Sequence, residues 1–254
     1  MRAHSAEEIW GEHYVEHIEK ADAQGEVPGA AVYREYLEAL GISPCHAVLD
    51  LGVGTGRLLP DLLSRGGFVC GMDLSMTMMR RAQERLGDRA VLVQGDAQQL
   101  PFADASFDRI VAWAVWENIP DQRRALAEAA RLLRPDGRLL FTTKNLTSWH
   151  SLRLAWRRVK QAWVREFWRR ACRHPGLVRL VPRALAAKCE RVVERREVPQ
   201  YPTLWPALRA TARRLGLELA LLDKYSDTML VGEARLPAGA WRHRQFVVVF
   251  EKRV

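Results

Sequence analysis

The chain has 254 residues and a formal net charge of +9, a length that accommodates one α/β domain plus a substantial insertion. No run reaches the ~18 apolar residues that a membrane span needs, and the polar, charged stretch from Met1 to Lys20 argues against a signal peptide. Cys45, Cys70, Cys172 and Cys189 are scattered without a C-x-x-C pair, which argues against a zinc knuckle or a disulfide framework and for a reducing cytoplasm.

Residues 5 to 24 read as a helix, with Ile9, Trp10, His13, Tyr14 and His17 at helical spacing. Gly25 to Gly29 break it, and Ala30 to Leu40 form a second helix closed by Gly41. Val48 to Leu51 is an apolar run carrying Asp50, followed by glycine at every second position: Gly52, Gly54 and Gly56. That pattern predicts a buried strand, a tight turn and a helix. Free N–H groups of such a turn, and the helix N-terminus behind it, suit a nucleotide-like ligand. A second strand, Gly67 to Met72, ends at Asp73, 23 residues after Asp50. An acid at the tip of the second strand can accept hydrogen bonds from ribose hydroxyls, as in dinucleotide-binding domains. The third strand, Ala90 to Gly95, leads into Asp96-Ala97, where an acid can accept from an adenine amine and the small alanine leaves room for the ring. Taken singly, Asp50 also fits a strand-end turn contact, Asp73 a helix N-cap and Asp96 a solvated loop residue.

The fourth strand, Phe107 to Ala114, runs into Trp116-Glu117-Asn118-Ile119-Pro120-Asp121. A helix from Gln122 to Leu133 follows, then a turn at Arg134-Pro135-Asp136-Gly137, then a fifth strand from Arg138 to Thr143. Between Trp149 and Arg196 there are 14 Lys and Arg against 3 Glu, a local charge of +11, so the rest of the chain carries −2. Trp149, Leu152, Trp156, Val159 and Trp163 recur every three or four residues, one stripe of a helix. Pro182 to Arg196 reads as a second helix and Thr203 to Leu215 as a third, capped by Gly216. The last strands are Leu217 to Tyr225 and Gln245 to Phe250.

The sequence LDLGVGTG, then GMDLS, GDAQQLPF, FDRIVAWAVWENIPD and LLRPDGRLLFTT resembles the class I S-adenosylmethionine (SAM) dependent methyltransferases. It looks most like the branch that acts on small molecules, quinones and lipids, and the match covers roughly residues 46 to 144. The resemblance implies a Rossmann-like α/β fold: a seven-stranded, mostly parallel sheet with an antiparallel last strand inserted beside strand five. It implies four parts: residues 1–41 as an N-terminal helical lid, 42–144 as the SAM-binding core, 145–215 as a helical cap and 216–254 as completing strands. SAM would be the cofactor and S-adenosylhomocysteine its product. Asp50 would hold the methionine ammonium, Gly52, Gly54 and Gly56 the loop, Asp73 the ribose, and Asp96 with Ala97 the adenine. Leu74 and Trp113 would line the cofactor pocket. Trp10, Tyr14, Trp116 and Asn118 would face the substrate, although an aromatic pair packed on the core also explains Trp10 and Tyr14.

Glu117, His13, His17 and His150 are candidate general bases near the expected cleft mouth, with Glu117, His13 and His150 preferred. Glu117 equally suits a structural carboxylate. Many relatives carry His where this chain has Asn118, and neutral Asn is a poor proton acceptor. No metal-ligand spacing is visible. The acceptor implied is a small molecule or a lipid-like one, and arginines turned into the pocket would suit an acidic one. For the basic segment, residues 149–170, three readings stand: a packed cap with a solvated basic face, a peripheral membrane contact, and nucleic acid. Nucleic acid ranks last, because strand four is followed by no Asn-Pro-Pro-Tyr type motif. A homodimer through the lid or cap fits as well. The alternative to methyl transfer is a SAM-binding protein with other chemistry, aminocarboxypropyl transfer or cyclisation, or a non-catalytic partner subunit.

Overall fold

The computed structural model describes residues 6–23, 30–144, 203, 205–224 and 245–253. Helices α1 (Ala6–Trp10), α2 (Glu12–Ala23) and α3 (Ala30–Leu40) precede strand β1 (Ala47–Leu51). Then come α4 (Leu59–Leu63), β2 (Phe68–Asp73), α5 (Met76–Leu86), β3 (Val91–Gln94), β4 (Phe107–Ala112), a 3₁₀ turn at Trp116–Asn118, α6 (Gln122–Leu132) and β5 (Leu133–Lys144). Helix α7 (Trp205–Arg214), β6 (Leu217–Lys224) and β7 (Gln245–Lys252) close the described chain. The seven strands form one sheet in the order β3-β2-β1-β4-β5-β7-β6. Strands β1 to β5 are parallel neighbours, and β7 runs antiparallel to both β5 and β6. The expected α/β class and the inserted antiparallel strand are therefore observed.

Strand alternation divides the core. Leu49, Leu51, Ile110, Ala112, Leu139 and Phe141 pack with α6 and α7 through Ala125, Leu126, Ala129, Trp205 and Leu208. Val48, Val111, Leu140, Val247 and Val249 pack with α3, α4 and α5 through Leu37, Leu40, Leu62 and Met79. Burial on both faces is what a parallel sheet requires. Helix α7, grouped with the cap in the sequence reading, belongs to this main core.

Three boundaries differ from expectation. The first helix breaks at Gly11, where a Cβ would lie 2.3 Å from the Glu7 carbonyl oxygen, so the chain changes direction there. Strand β4 stops at Ala112, because Ala114 takes a left-handed φ of 56° and turns the chain out of the sheet. The segment Arg134 to Gly137 is not a separate turn before β5. Leu133 already pairs with Phe107, the register shifts, and pairing resumes between Arg138 and Arg109. Asp136, at φ 62°, absorbs the extra residues of this bulge.

Arg131 on α6 ties the loop after β3 to the helix. It donates to the carbonyls of Leu100 (3.1 Å) and Phe102 (2.8 Å) and pairs with Asp104 and Glu128. Glu128 also accepts from the Leu100 N–H at 2.8 Å. Arg131→Met is expected to cost about 1–2 kcal/mol, since two carbonyls and two carboxylates lose their donor. Urea unfolding of the two proteins checks this.

Candidate active site

The carboxyl ends of β1, β2 and β4, with the loop after β3, open onto a cleft of about 280 Å³. Gly52 and Val53 N–H groups donate to the Met72 carbonyl at 2.7 and 2.9 Å, folding the glycine loop across the end of β2. Gly54 N–H then donates to Asp73 Oδ2 at 2.9 Å. Asp73 Oδ1 accepts from the Ser75 N–H at 2.9 Å. The N-cap of α5 is Ser75, whose Oγ accepts from Met78 N–H, so Asp73 braces the glycine loop and the helix entry together. Burial raises the Asp73 carboxyl above the usual carboxylate range, against the lowering by these backbone donors.

The three loop glycines have different reasons to be glycine. At Gly52, φ is 78° and a Cβ would meet Val115 Cγ2 at 2.4 Å. At Gly56, φ is 76° and a Cβ would touch Ala82 of α5 at 3.0 Å. At Gly54, φ is 54° and a Cβ would meet nothing within 4 Å, so its open side faces space rather than protein. Gly52→Ala is expected to cost about 2–4 kcal/mol from overpacking and strain, and Val115→Ala in the same chain to recover part of that. A double-mutant cycle by thermal unfolding measures the coupling.

Asp50 lies on β1 just before the loop and is 1% exposed. Its Oδ2 is buried without a hydrogen-bond partner. Burial, and then the charge of Asp73, push its carboxyl up to about 7. Asp96 accepts from the Gln98 backbone N–H at 2.8 Å and from the Gln98 side chain, so it shapes its own turn. Asp73, Leu74, Asp96, Ala97 and Trp113 line the cleft with Gly52 and Gly54 of the loop, whereas Asp50 and Gly56 lie behind the lining.

Trp10 and Tyr14 also line the cleft, their rings 4.9 Å apart and edge to face. Burial and the charge of Glu117 raise the Tyr14 hydroxyl. Asn118 also lines the cleft. Trp116 is corrected by the structure: it is fully buried, stacked on Phe141 with centroids 4.3 Å apart, and belongs to the core rather than the cleft wall. Glu117 is 4% exposed and sits behind the wall, not on it. His13 is exposed and does not line the cleft. His150 and the basic segment 149–170 lie outside the described residues. Sequence reading missed Ile18, Arg57, Met78 and Gln98 as cleft residues. Ile18 was accessible in principle, since Tyr14 and Ile18 are four apart on one face of α2. Gln98 was not: it reaches from the β3 loop to the Asp121 N–H at 3.0 Å, a purely tertiary contact.

A family model described as "Methyltransferase domain" matches residues 49–141, the stretch that builds the cleft floor. Residues 49–141 of the core thus resemble a methyltransferase domain. An uncharacterized methyltransferase from Geobacillus thermodenitrificans is 33% identical over 136 residues, 53% of this chain and 63% of that protein. A demethylmenaquinone methyltransferase from Beutenbergia cavernae is 39% identical over 116 residues, 46% of this chain and 48% of its own length. The chain thus spans less than two thirds of the curated relatives it matches. In fold, it resembles the putative methyltransferase in a complex with the Trm112 activator from Haloferax volcanii, with a TM-score of 0.60 at 17% identity over 100% of both chains. A SAM-dependent methyltransferase from Mesorhizobium loti gives 0.59 at 18% identity, over 88% of this chain and 99% of that one.

The methyltransferase domain's cofactor fits the residues present. SAM brings an ammonium, a ribose diol and an adenine, and the domain offers an unpartnered buried carboxylate oxygen at Asp50, Asp73 at the strand tip and Asp96-Ala97 at the next. The open side of Gly54 lets a ligand approach the backbone directly. Among the described residues no group of three or more His, Cys, Asp and Glu is arranged for a metal ion. No described helix is long and apolar enough to cross a membrane.

Proposed function

We propose that this chain is a SAM-dependent methyltransferase whose acceptor is a small molecule seated against Trp10, Tyr14 and Trp113. The observation that carries the reading is the unpartnered Oδ2 of Asp50, buried at the start of the glycine loop. A buried acceptor without a donor is costly, and an ammonium group is the donor that relieves both its hydrogen-bonding deficit and its charge. Bound SAM would supply a methyl group activated by its positive sulfonium.

The chain's own residues would then do three things. Asp50, Asp73 and Asp96 would fix the cofactor at its two ends and middle. The aromatic walls would exclude water and orient the acceptor for an in-line approach. Glu117, behind the wall, would act on the cleft only through the Tyr14 hydroxyl, where its charge is felt. The name of the Beutenbergia relative supports a quinone-like ring as acceptor, and the aromatic lining suits one.

Calorimetric titration with SAM and S-adenosylhomocysteine, with NADH as control, tests the reading. Binding of both SAM-type ligands and none of NADH is expected. NADH binding alone would overturn it and return Asp73 to the role of a dinucleotide-ribose ligand. Among products, S-adenosylhomocysteine marks methyl transfer, whereas methylthioadenosine would mark aminocarboxypropyl transfer.

A further inference from the structure

Helix α1 meets the tip of α5 through one carboxylate. Glu7 Oε1 accepts from the Met76 N–H at 2.6 Å and from the Thr77 N–H at 3.4 Å. Its Oε2 accepts from the Thr77 hydroxyl at 2.7 Å. The Ser75 hydroxyl lies 3.1 Å from both Glu7 Oε2 and the Trp10 carbonyl, and accepts from the Met78 N–H. The first N–H groups of a helix have no partner within it and carry partial positive charge, so a carboxylate suits them. Beyond the bend at Gly11, α2 meets the flank of α5 through Glu12 and Glu19, both facing Arg81. Such largely exposed ion pairs hold weakly, which leaves Glu7 as the principal tie.

The two helices have little apolar anchorage. Among the described residues of α1 and α2 only Val15 is buried, and none belongs to either core cluster. A segment with few apolar contacts and exposed hydrogen bonds opens at a cost well below that of global unfolding. Yet this segment carries Trp10, Tyr14 and Ile18 of the cleft wall. The tie also adjoins the strand-end acid: Ser75 donates its N–H to Asp73 and presents its hydroxyl to Glu7. Leu74 and Met78, on either side of this contact, line the cleft, whereas Glu7 is exposed and outside the lining.

We infer that Glu7 is the latch of a gate: α1 and α2 leave the tip of α5 together to let ligand in and out, and the Glu7 carboxylate sets the rate of release without touching the ligand. The inference rests on the reading of the cleft as a SAM site and adds to it a means of entry.

Glu7→Ala removes the acceptor, and alanine favours a helix, so α1 itself is not weakened. Thr77→Val removes the closest side-chain donor from the other side. Radiolabelled S-adenosylhomocysteine is bound to the full chain and displaced by excess unlabelled compound, and amide hydrogen exchange is followed by mass spectrometry. Glu7→Ala is expected to release S-adenosylhomocysteine about tenfold faster than the wild type. Exchange is expected to quicken across α1 and α2 and to stay unchanged in β1, β4 and β5, the readout that the chain is folded. Thr77→Val gives a smaller change of the same kind, and the double variant none beyond Glu7→Ala alone. Glu16→Ala, at an exposed position of α2, is expected to alter neither measurement. An unchanged release rate in Glu7→Ala overturns the inference. So does an equal acceleration by Glu16→Ala, which marks a general effect of charge, or effects of Glu7→Ala and Thr77→Val that multiply. Faster exchange in α5 with α1 and α2 unchanged makes Glu7 a helix cap alone and also overturns it. Failure of S-adenosylhomocysteine to bind the wild type overturns the SAM reading instead, and exchange across α1 and α2 in the free proteins then decides the latch.

Discussion

Gly54→Val is expected to reduce affinity for S-adenosylhomocysteine by more than about a hundredfold while leaving the chain folded. A Cβ at Gly54 meets no protein atom within 4 Å, in contrast to Gly52 and Gly56, where it would strike Val115 and Ala82. The folded state therefore bears only the left-handed backbone cost of roughly 1–2 kcal/mol. The valine methyls instead occupy the space that the ligand needs beside the loop. Asp73→Ala should weaken binding comparably but by another route and with a larger structural effect. It removes the acceptor of the Gly54 N–H and of the Ser75 N–H at once, so the loop and the start of α5 lose their brace. Calorimetry and thermal unfolding on both variants separate the two cases: loss of binding with little loss of stability for Gly54→Val, loss of both for Asp73→Ala. Near wild-type binding by Gly54→Val would mean that the ligand does not lie along this loop.

The glycine loop and the strand-end acids were legible because each is written in short-range pattern, whereas the sheet order came only from the family resemblance. Glycine at alternate positions, an acid closing an apolar run, and apolar runs at strand–helix–strand spacing require no knowledge of the partner surface. The residues after β4 were not legible in the same way. Trp116, Glu117 and Asn118 stand where the family places substrate groups, and Trp113 where it places the cofactor wall. Which of them faces the cleft is set by the φ of 56° at Ala114 and the 3₁₀ turn behind it. That geometry turns Trp113 and Asn118 outward and drives Trp116 onto Phe141 in the core. An alanine in the left-handed region carries no sequence signal; it is held by Thr142, a contact across 28 positions. The bulge at Arg134 to Gly137 is similar. Its Pro-Asp-Gly composition announces a bend, but whether the bend ends a strand or sits within one depends on pairing with β4. Gln98 and Arg131 act through tertiary hydrogen bonds that no local pattern reveals.

SAM affinity is expected to rise with pH from about 5 to about 7, by up to roughly tenfold per unit, and then to level off. The cause is Asp50. Its carboxyl is pushed up to about 7 by burial and by Asp73, so at pH 6 the free protein carries it largely protonated. An ammonium ligand requires the ionised form, and binding below pH 7 must therefore release a proton. Calorimetry in buffers of different ionisation enthalpy counts that proton directly. The stability of the free protein has the opposite dependence. A carboxyl whose folded pKa lies above its unfolded value favours folding while it is protonated. That contribution is full below the unfolded value near 4 and is lost as pH rises to about 7. Asp50→Asn keeps the neutral form at every pH. It is expected to be more stable than the wild type at pH 8 and to bind SAM weakly, with no pH dependence between 5 and 7. A binding gain and a stability loss that share one carboxylate are the mark of a group retained for its ligand rather than for the fold. If SAM affinity is flat from pH 5 to 8, or if Asp50→Asn is the less stable protein at pH 8, Asp50 is a structural acid and the ammonium must be held elsewhere.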